Sequence, residues 1–177
     1  MELVEKKKSS QSIFQGKVIN VRLDIIELPN GKEATRECVE HPGAVAVLAC
    51  DDQDRVCMVR QYRYPVGQEL LEIPAGKLSA GEDPLECARR ELLEEAGITA
   101  RSWQKIYCYY TTPGFSNEIM HLYLATGLTR GENQPDEDEF LQVEMIPYRE
   151  AFQKMIRGEI RDGKTLIGLL HLAQRGK

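Results

Sequence analysis

Disulfide and zinc frameworks are missing from this sequence. Its five cysteines, Cys38, Cys50, Cys57, Cys87 and Cys108, are odd in number, scattered, and never spaced as C-x-x-C. Reduced, mostly buried thiols are therefore expected. No uninterrupted apolar run approaches the ~20 residues that span a bilayer, and the charged start MELVEKKKSS lacks the apolar stretch of a secretory signal. The expected location is the cytoplasm, with no membrane partner. An excess of positive charge is also absent: the formal net charge is -5. Nucleic acid is thus excluded as a partner, because duplex affinity comes from clustered Lys and Arg, and any anionic small molecule must meet a local basic patch. His41, His121 and His171 are far apart with no Ser or Cys partner pattern, which removes nucleophilic catalysis and leaves structural roles. Repeats and low-complexity segments do not occur.

What is present is enough for one core: 177 residues, 42% hydrophobic and 29% charged. The first ten or so residues, with Lys6 to Lys8 before Ser9 and Ser10, read as disordered. Residues 18–28 and 33–39 are strand-like and joined by Pro29-Asn30-Gly31, a hairpin signal. Further strand-like runs fall at 44–50, 56–63, 69–73, 103–110, 119–125 and 142–146, and helical periodicity falls at about 84–96, 148–157 and 164–174. Helices interspersed among strands without regular alternation predict an α+β class with a mixed sheet, or a three-layer sandwich. The aromatics Tyr62, Tyr64, Trp103, Tyr107, Tyr109 and Tyr110 sit mainly on strands, where packing is the default and stacking on a base is the functional alternative.

The helix at 84–96 has the best-marked ends. Asp83 suits the N-cap, Pro84 the first position, Glu86 completes an Asp-x-x-Glu capping box, and Gly97 suits a left-handed stop. At about 100° per residue, Leu85, Ala88, Leu92 and Ala96 form one apolar stripe, while Glu91, Glu94 and Glu95 share another face. Like charges three and four residues apart cost roughly 0.2–0.5 kcal/mol per pair, and hard oxygen donors in a cluster are what Mg²⁺ or Mn²⁺ binds. A bare E-x-x-E-E is more often a solvated face.

The context of this one is unusual. From Gly76 the chain reads GKLSAGEDPLECARRELLEEAGI, which resembles the Nudix box at every position: Gly, five residues, Glu, seven residues, Arg-Glu, apolar, any, Glu-Glu, any, Gly, apolar. Seven fixed polar or glycine positions match by chance on the order of once in a million, given average residue usage. Resemblance to the Nudix hydrolases implies a loop-helix-loop on an α/β/α sandwich with a mixed sheet. It also implies an N-terminal antiparallel hairpin region (1–40) for dimerisation ahead of the Nudix domain (41–177). Glu91, Glu95 and the Ala75 carbonyl would ligate metal, Mg²⁺ with Mn²⁺ as the alternative. Glu94 would assist them, and Arg90 would orient the carboxylates through Glu82.

Other segments are similar to the ADP-ribose pyrophosphatases within that family. Thr111 to Glu118 (TTPGFSNE) resembles their Ser-Pro-Gly-Phe-Ser-Asp-Glu segment, departing at Thr112 and Asn117, with Pro113 sixteen residues after Gly97. LLEIPAGK at 70–77, VRQYRYP at 59–65 and the run from Arg36 to Leu48 resemble it too. The resemblance implies that Arg63 holds the diphosphate or a ribose phosphate and that Glu72 shapes the site. It places Pro113 and Gly114 at the substrate and supplies Arg36 from a partner subunit of a homodimer. Guanidinium groups suit phosphate because they bind it in a bidentate manner. In the acidic stretch Asp136 to Glu139, position implies Glu137 as general base and Glu139 as a further metal ligand. The expected reaction is Mg²⁺-dependent hydrolysis of ADP-ribose to AMP and ribose 5-phosphate. The alternatives are another nucleotide sugar, dinucleotide or nucleoside triphosphate as substrate, or a module that binds ADP-ribose without cutting it.

Overall fold

The computed structural model describes residues 3–131 and 140–175. Among them the chain forms strands β1 (Lys6–Gln15), β2 (Asn20–Glu27), β3 (Glu33–Glu40), β4 (Ala44–Cys50), β5 (Arg55–Arg63), β6 (Gln68–Glu72) and β7 (Ala75–Lys77). Helix α1 (Pro84–Ala96), strands β8 (Ile98–Tyr110), β9 (Ile119–Arg130) and β10 (Leu141–Pro147), and helices α2 (Tyr148–Ile156) and α3 (Gly163–Arg175) follow. Two compact units result, one of residues 1–43 with 109–119 and one of 44–108 with 120–177.

The first unit carries a three-stranded antiparallel sheet in the order β1-β2-β3. The hairpin read at Pro29-Asn30-Gly31 is present: Gly31 has φ 80, and its N–H donates to the Leu28 carbonyl at 2.8 Å. The expectation of a disordered start is corrected. Lys6–Gln15 is a full strand, paired with β2 from Lys6↔Glu27 to Gln15↔Asn20. All ten of its residues are exposed, so it is held by backbone hydrogen bonds and has no apolar alternation for a sequence reading to detect.

The second unit holds the mixed sheet, in the order β10-β5-β4-β9-β8, with β6 paired to β5 and β7 to β4. β4 and β9 run parallel, from Ala44↔Met120 to Cys50↔Thr126. β4 (AVAVLAC) is a continuous apolar run because both of its faces are covered, and Val45 to Ala49 are fully buried. Its odd positions, Val45, Val47 and Ala49, pack with Ala88 and Leu92 of α1. Its even side packs on α3, where a side chain at Gly168 would meet Leu48 and Ile73 within 3.7 Å. Helices thus lie on both faces, the α/β/α layering expected. The thiols follow expectation in part: all five are free, but only Cys57 and Cys87 are buried, and Cys108 is exposed. Tyr62, Tyr64 and Tyr110 are likewise exposed, and Tyr107, exposed in part, packs edge-on against His171 of α3.

Candidate active site

α1 starts and stops where its caps dictate. The Asp83 carboxylate accepts from the Leu85 and Glu86 N–H groups at 2.9 and 3.2 Å, and Gly97 closes the helix at φ 63. Glu86 does not complete a reciprocal capping box; its carboxylate takes Arg89 at 2.7 Å. Ala88, Leu92 and Cys87 are fully buried, while Leu85 and Ala96 lie at the margin of the same cluster. This packing turns the acidic face toward β7 instead of toward water. Glu91 is 7% exposed and Glu95 only 1%, so the reading of these acids as a solvated face fails. Burying a carboxylate costs several kcal/mol unless it is compensated, so the position requires specific partners.

β7 supplies the opposing surface. The Ala75 N–H donates to Glu95 Oε2 at 3.1 Å. At Gly76 a Cβ would fall inside the Glu91 carboxylate, so only glycine leaves room. β7 itself, three residues paired with Ala44 to Ala46, lay below the resolution of periodicity. Arg90 binds the remaining acids. Its Nε and Nη2 donate to Glu82 at 2.9 and 3.1 Å, and Nη1 donates to Glu91 at 2.8 Å and Glu94 at 2.9 Å. The Arg90 hydrogen bonds, joined by the Ser79 N–H, hold the Glu82 carboxyl down at about 2. Beneath Arg90, burial pushes the Cys87 thiol up to about 12, so it stays protonated.

A second cluster centres on Glu72, 1% exposed at the end of β6. Arg63 grips it in a bidentate pair at 2.9 and 2.8 Å, and Lys164 donates to it as well. Burial raises the Glu72 carboxyl, but Arg63 and Lys164 outweigh it and hold the group below its ordinary value. Lys164 also bonds Asp162 at 3.0 Å, and Asp162 accepts from the Thr165 N–H and hydroxyl at the start of α3. Neither residue stands out in the sequence. Lys164 opens a helix 92 residues from Glu72, and only the fold joins them.

In the other unit, Arg36 on β3 pairs with Glu5. The segment with Pro113 and Gly114 forms a tight loop fastened to β3: Val39 N–H donates to the Phe115 carbonyl at 2.7 Å and Asn117 N–H to the Val39 carbonyl at 3.2 Å. Asn117 Oδ1 accepts from the His41 N–H at 2.8 Å, and Thr111 donates to Glu118 at 2.6 Å. His41 Nδ1 accepts from the Gly43 N–H, His121 lies against Cys108, and His171 bonds the Tyr107 hydroxyl, all contacts of a structural kind. Arg60, half-buried on β5 between β10 and β6, pairs with Glu144 at 2.9 Å. Glu137 and Glu139, the expected base and extra ligand, lie outside the described residues.

The donor chemistry suits a hard divalent cation. Glu91 and Glu95, one helical turn apart and buried against β7, offer only oxygens. Among the described residues no three carboxylate, thiol or imidazole groups stand assembled as a metal cluster.

Comparison with known proteins gives the same direction. Residues 40–166 match the NUDIX domain, and residues 5–39 match the nucleoside diphosphate sugar hydrolase N-terminal domain. The chain is 45% identical to the ADP-ribose pyrophosphatase of Bacillus subtilis over 172 residues, covering 96% of this chain and 93% of that one. It is 44% identical to the methanol dehydrogenase activator of Bacillus methanolicus, covering 95% and 92%. A solved structure titled as an ADP compounds hydrolase superposes with TM-score 0.84 at 20% identity, covering 96% of this chain and 92% of that one, which speaks to the fold alone.

Proposed function

The chain belongs to the NUDIX family, and on that premise we propose that it hydrolyses the pyrophosphate bond of ADP-ribose to give AMP and ribose 5-phosphate. The observation that carries the reaction class is the pair of buried carboxylates, Glu91 against Gly76 and Glu95 on the Ala75 N–H. The likeness in sequence to an ADP-ribose pyrophosphatase over nearly the whole chain carries the substrate.

Divalent metal ions are general to the family. In this chain Glu91, Glu95 and the Ala75 carbonyl would hold them, with Glu139 a further ligand in our reading and Mg²⁺ the ion we propose, Mn²⁺ serving in its place. When bound, such ions neutralise the charged oxygens of a diphosphate and stabilise its leaving phosphate. The side chains do the rest. Arg90 spans Glu82, Glu91 and Glu94 and so fixes the carboxylates against rotation. Arg63, its guanidinium already oriented by Glu72, faces the diphosphate or a ribose phosphate. Glu137 removes the proton from the attacking water. Pro113 and Gly114 shape the substrate edge of the other unit, which we propose reaches a partner's site together with Arg36. A homodimer is supported by the exposed apolar side chains of the N-terminal sheet, among them Ile13, Phe14 and Ile25. The fully exposed strand β1 on its edge points the same way. Among the described residues no helix is long and apolar enough to cross a membrane; we propose a cytoplasmic enzyme without nucleic-acid or membrane partners.

The experiment is AMP release from ADP-ribose with Mg²⁺, with EDTA and a panel of other nucleotide sugars, dinucleotides and nucleoside triphosphates alongside. EDTA-sensitive preference for ADP-ribose is expected. Activity on another panel member alone overturns the substrate, and silence throughout favours a module that binds without cutting.

A further inference from the structure

The Arg36 side chain is 42% exposed, and an exposed ion pair contributes little to stability. Yet the residue is held firmly. Its Nε donates to Glu5 Oε2 at 3.0 Å, Nη2 donates to the other Glu5 oxygen, and Nη1 donates to the Thr35 carbonyl at 2.9 Å. Glu5 stands just before β1, 31 residues from Arg36; the strand register sets Arg36 level with Asp24 and Ser10, so the side chains make this pair and the backbone pairing does not. A guanidinium carries five N–H groups. Three are taken by these contacts, which leaves, among the described residues, one N–H on Nη1 and one on Nη2. Two donors on neighbouring nitrogens match two oxygens of a phosphate.

We infer that Glu5 is a positioning residue for substrate: by clamping the Arg36 guanidinium it presents the two remaining N–H donors to a phosphate of the nucleoside diphosphate. This rests on the reading that Arg36 contacts the substrate. The span that matches the nucleoside diphosphate sugar hydrolase N-terminal domain runs from Glu5 to Val39 and so contains both members of the pair. A flexible arginine loses side-chain freedom each time it binds; one already clamped loses less, and the gain appears in substrate affinity, not in the chemical step.

The test is a cycle of Glu5→Gln, Arg36→Ala and the double variant, with KM and kcat measured by AMP release. Glu5→Gln is expected to raise KM by about twofold to fivefold, the scale of an exposed pair, with kcat unchanged. In the Arg36→Ala background the same change is expected to do nothing further. If Arg36→Ala raises KM while Glu5→Gln leaves it level or lowers it, Glu5 is a bystander or a competitor and the inference is overturned. A wild-type KM in Arg36→Ala overturns it at its premise. Solvent exchange of the Arg36 Nε–H by NMR reads the clamp without any turnover, so it remains decisive even if the wild-type protein does not cleave ADP-ribose. Slow exchange that quickens in Glu5→Gln is expected, and equal rates overturn the inference.

Discussion

Replacing Gly76 with Ala adds one methyl group at the point where strand and helix are closest. That Cβ lands within the Glu91 carboxylate, inside the 3.0 Å that real Cβ atoms essentially never breach. Glu91 has little room to retreat: it is 7% exposed and tied to Arg90 Nη1 at 2.8 Å, on a helix pinned by fully buried Ala88 and Leu92. Either the carboxylate swings off β7 or β7 lifts from α1. Overpacking of this kind costs about 1–3 kcal/mol. At roughly 2–4 °C per kcal/mol for a chain of this size, Tm should fall by about 2–12 °C. The catalytic loss should exceed the stability loss, since a shift of ~1 Å in a catalytic group costs on the order of 100-fold in rate. Thermal unfolding can be followed by fluorescence of the single tryptophan, and kcat by AMP release at saturating Mg²⁺. A folded Gly76→Ala protein with kcat within threefold of wild type would refute the argument that Glu91 works from this position.

Three further outcomes follow from the same geometry. Glu95→Gln keeps an amide oxygen for the Ala75 N–H, so it should fold with Tm near wild type while losing turnover; normal rates would remove Glu95 from the metal-ligand set. The Glu82 carboxyl, held at about 2 by Arg90 and the Ser79 N–H, has a folded value below its unfolded one. Its contribution is therefore full above pH ~4.5 and lost as pH falls toward about 2. Acid unfolding of Glu82→Gln should show a shallower loss over that window than wild type, and an unchanged slope would sink the Arg90–Glu82 account. Asn117→Asp keeps an oxygen acceptor for the His41 N–H, so KM for ADP-ribose should stay within about twofold, whereas Asn117→Ala loses a hydrogen bond worth about 1 kcal/mol. A large KM change in Asn117→Asp would show that this side chain meets the substrate.

The sequence made α1 legible almost residue by residue because cap, proline and glycine signals are local, and β4 because an unbroken apolar run of that length has few alternatives. It also placed Glu91 and Glu95 on one face. Periodicity alone did not reveal that this face is buried, since burial depends on what β7 brings opposite. β1 was missed because backbone pairing holds a polar strand without leaving alternation in its side chains. Lys164 and Glu5 were invisible for a related reason: each acts through a partner distant in sequence, Glu72 or Arg36, and a charged residue in isolation carries no sign of whom it meets. Asn117, one of the two departures from the resembled segment, accepts from the His41 N–H, a contact that its place in the sequence does not show.

The spacing of the two buried glutamates is itself set by the core. Glu91 lies on Gly76 and Glu95 on Ala75, so α1 runs counter to β7 with its acidic ridge laid along the strand. Four residues of helix advance about 6 Å, while one residue of strand advances only about 3.3 Å. The two carboxylates thus meet adjacent residues of β7 from successive turns of α1. Such contact requires the helix to sit close. The residues that set its height are small where they meet β4, Ala88 and Cys87, and Leu92 between the glutamates locks its rotation, all three fully buried. Interiors packed to this density tolerate little displacement. A substitution such as Ala88→Leu would thus act on the carboxylates by lifting the whole ridge, without touching either one.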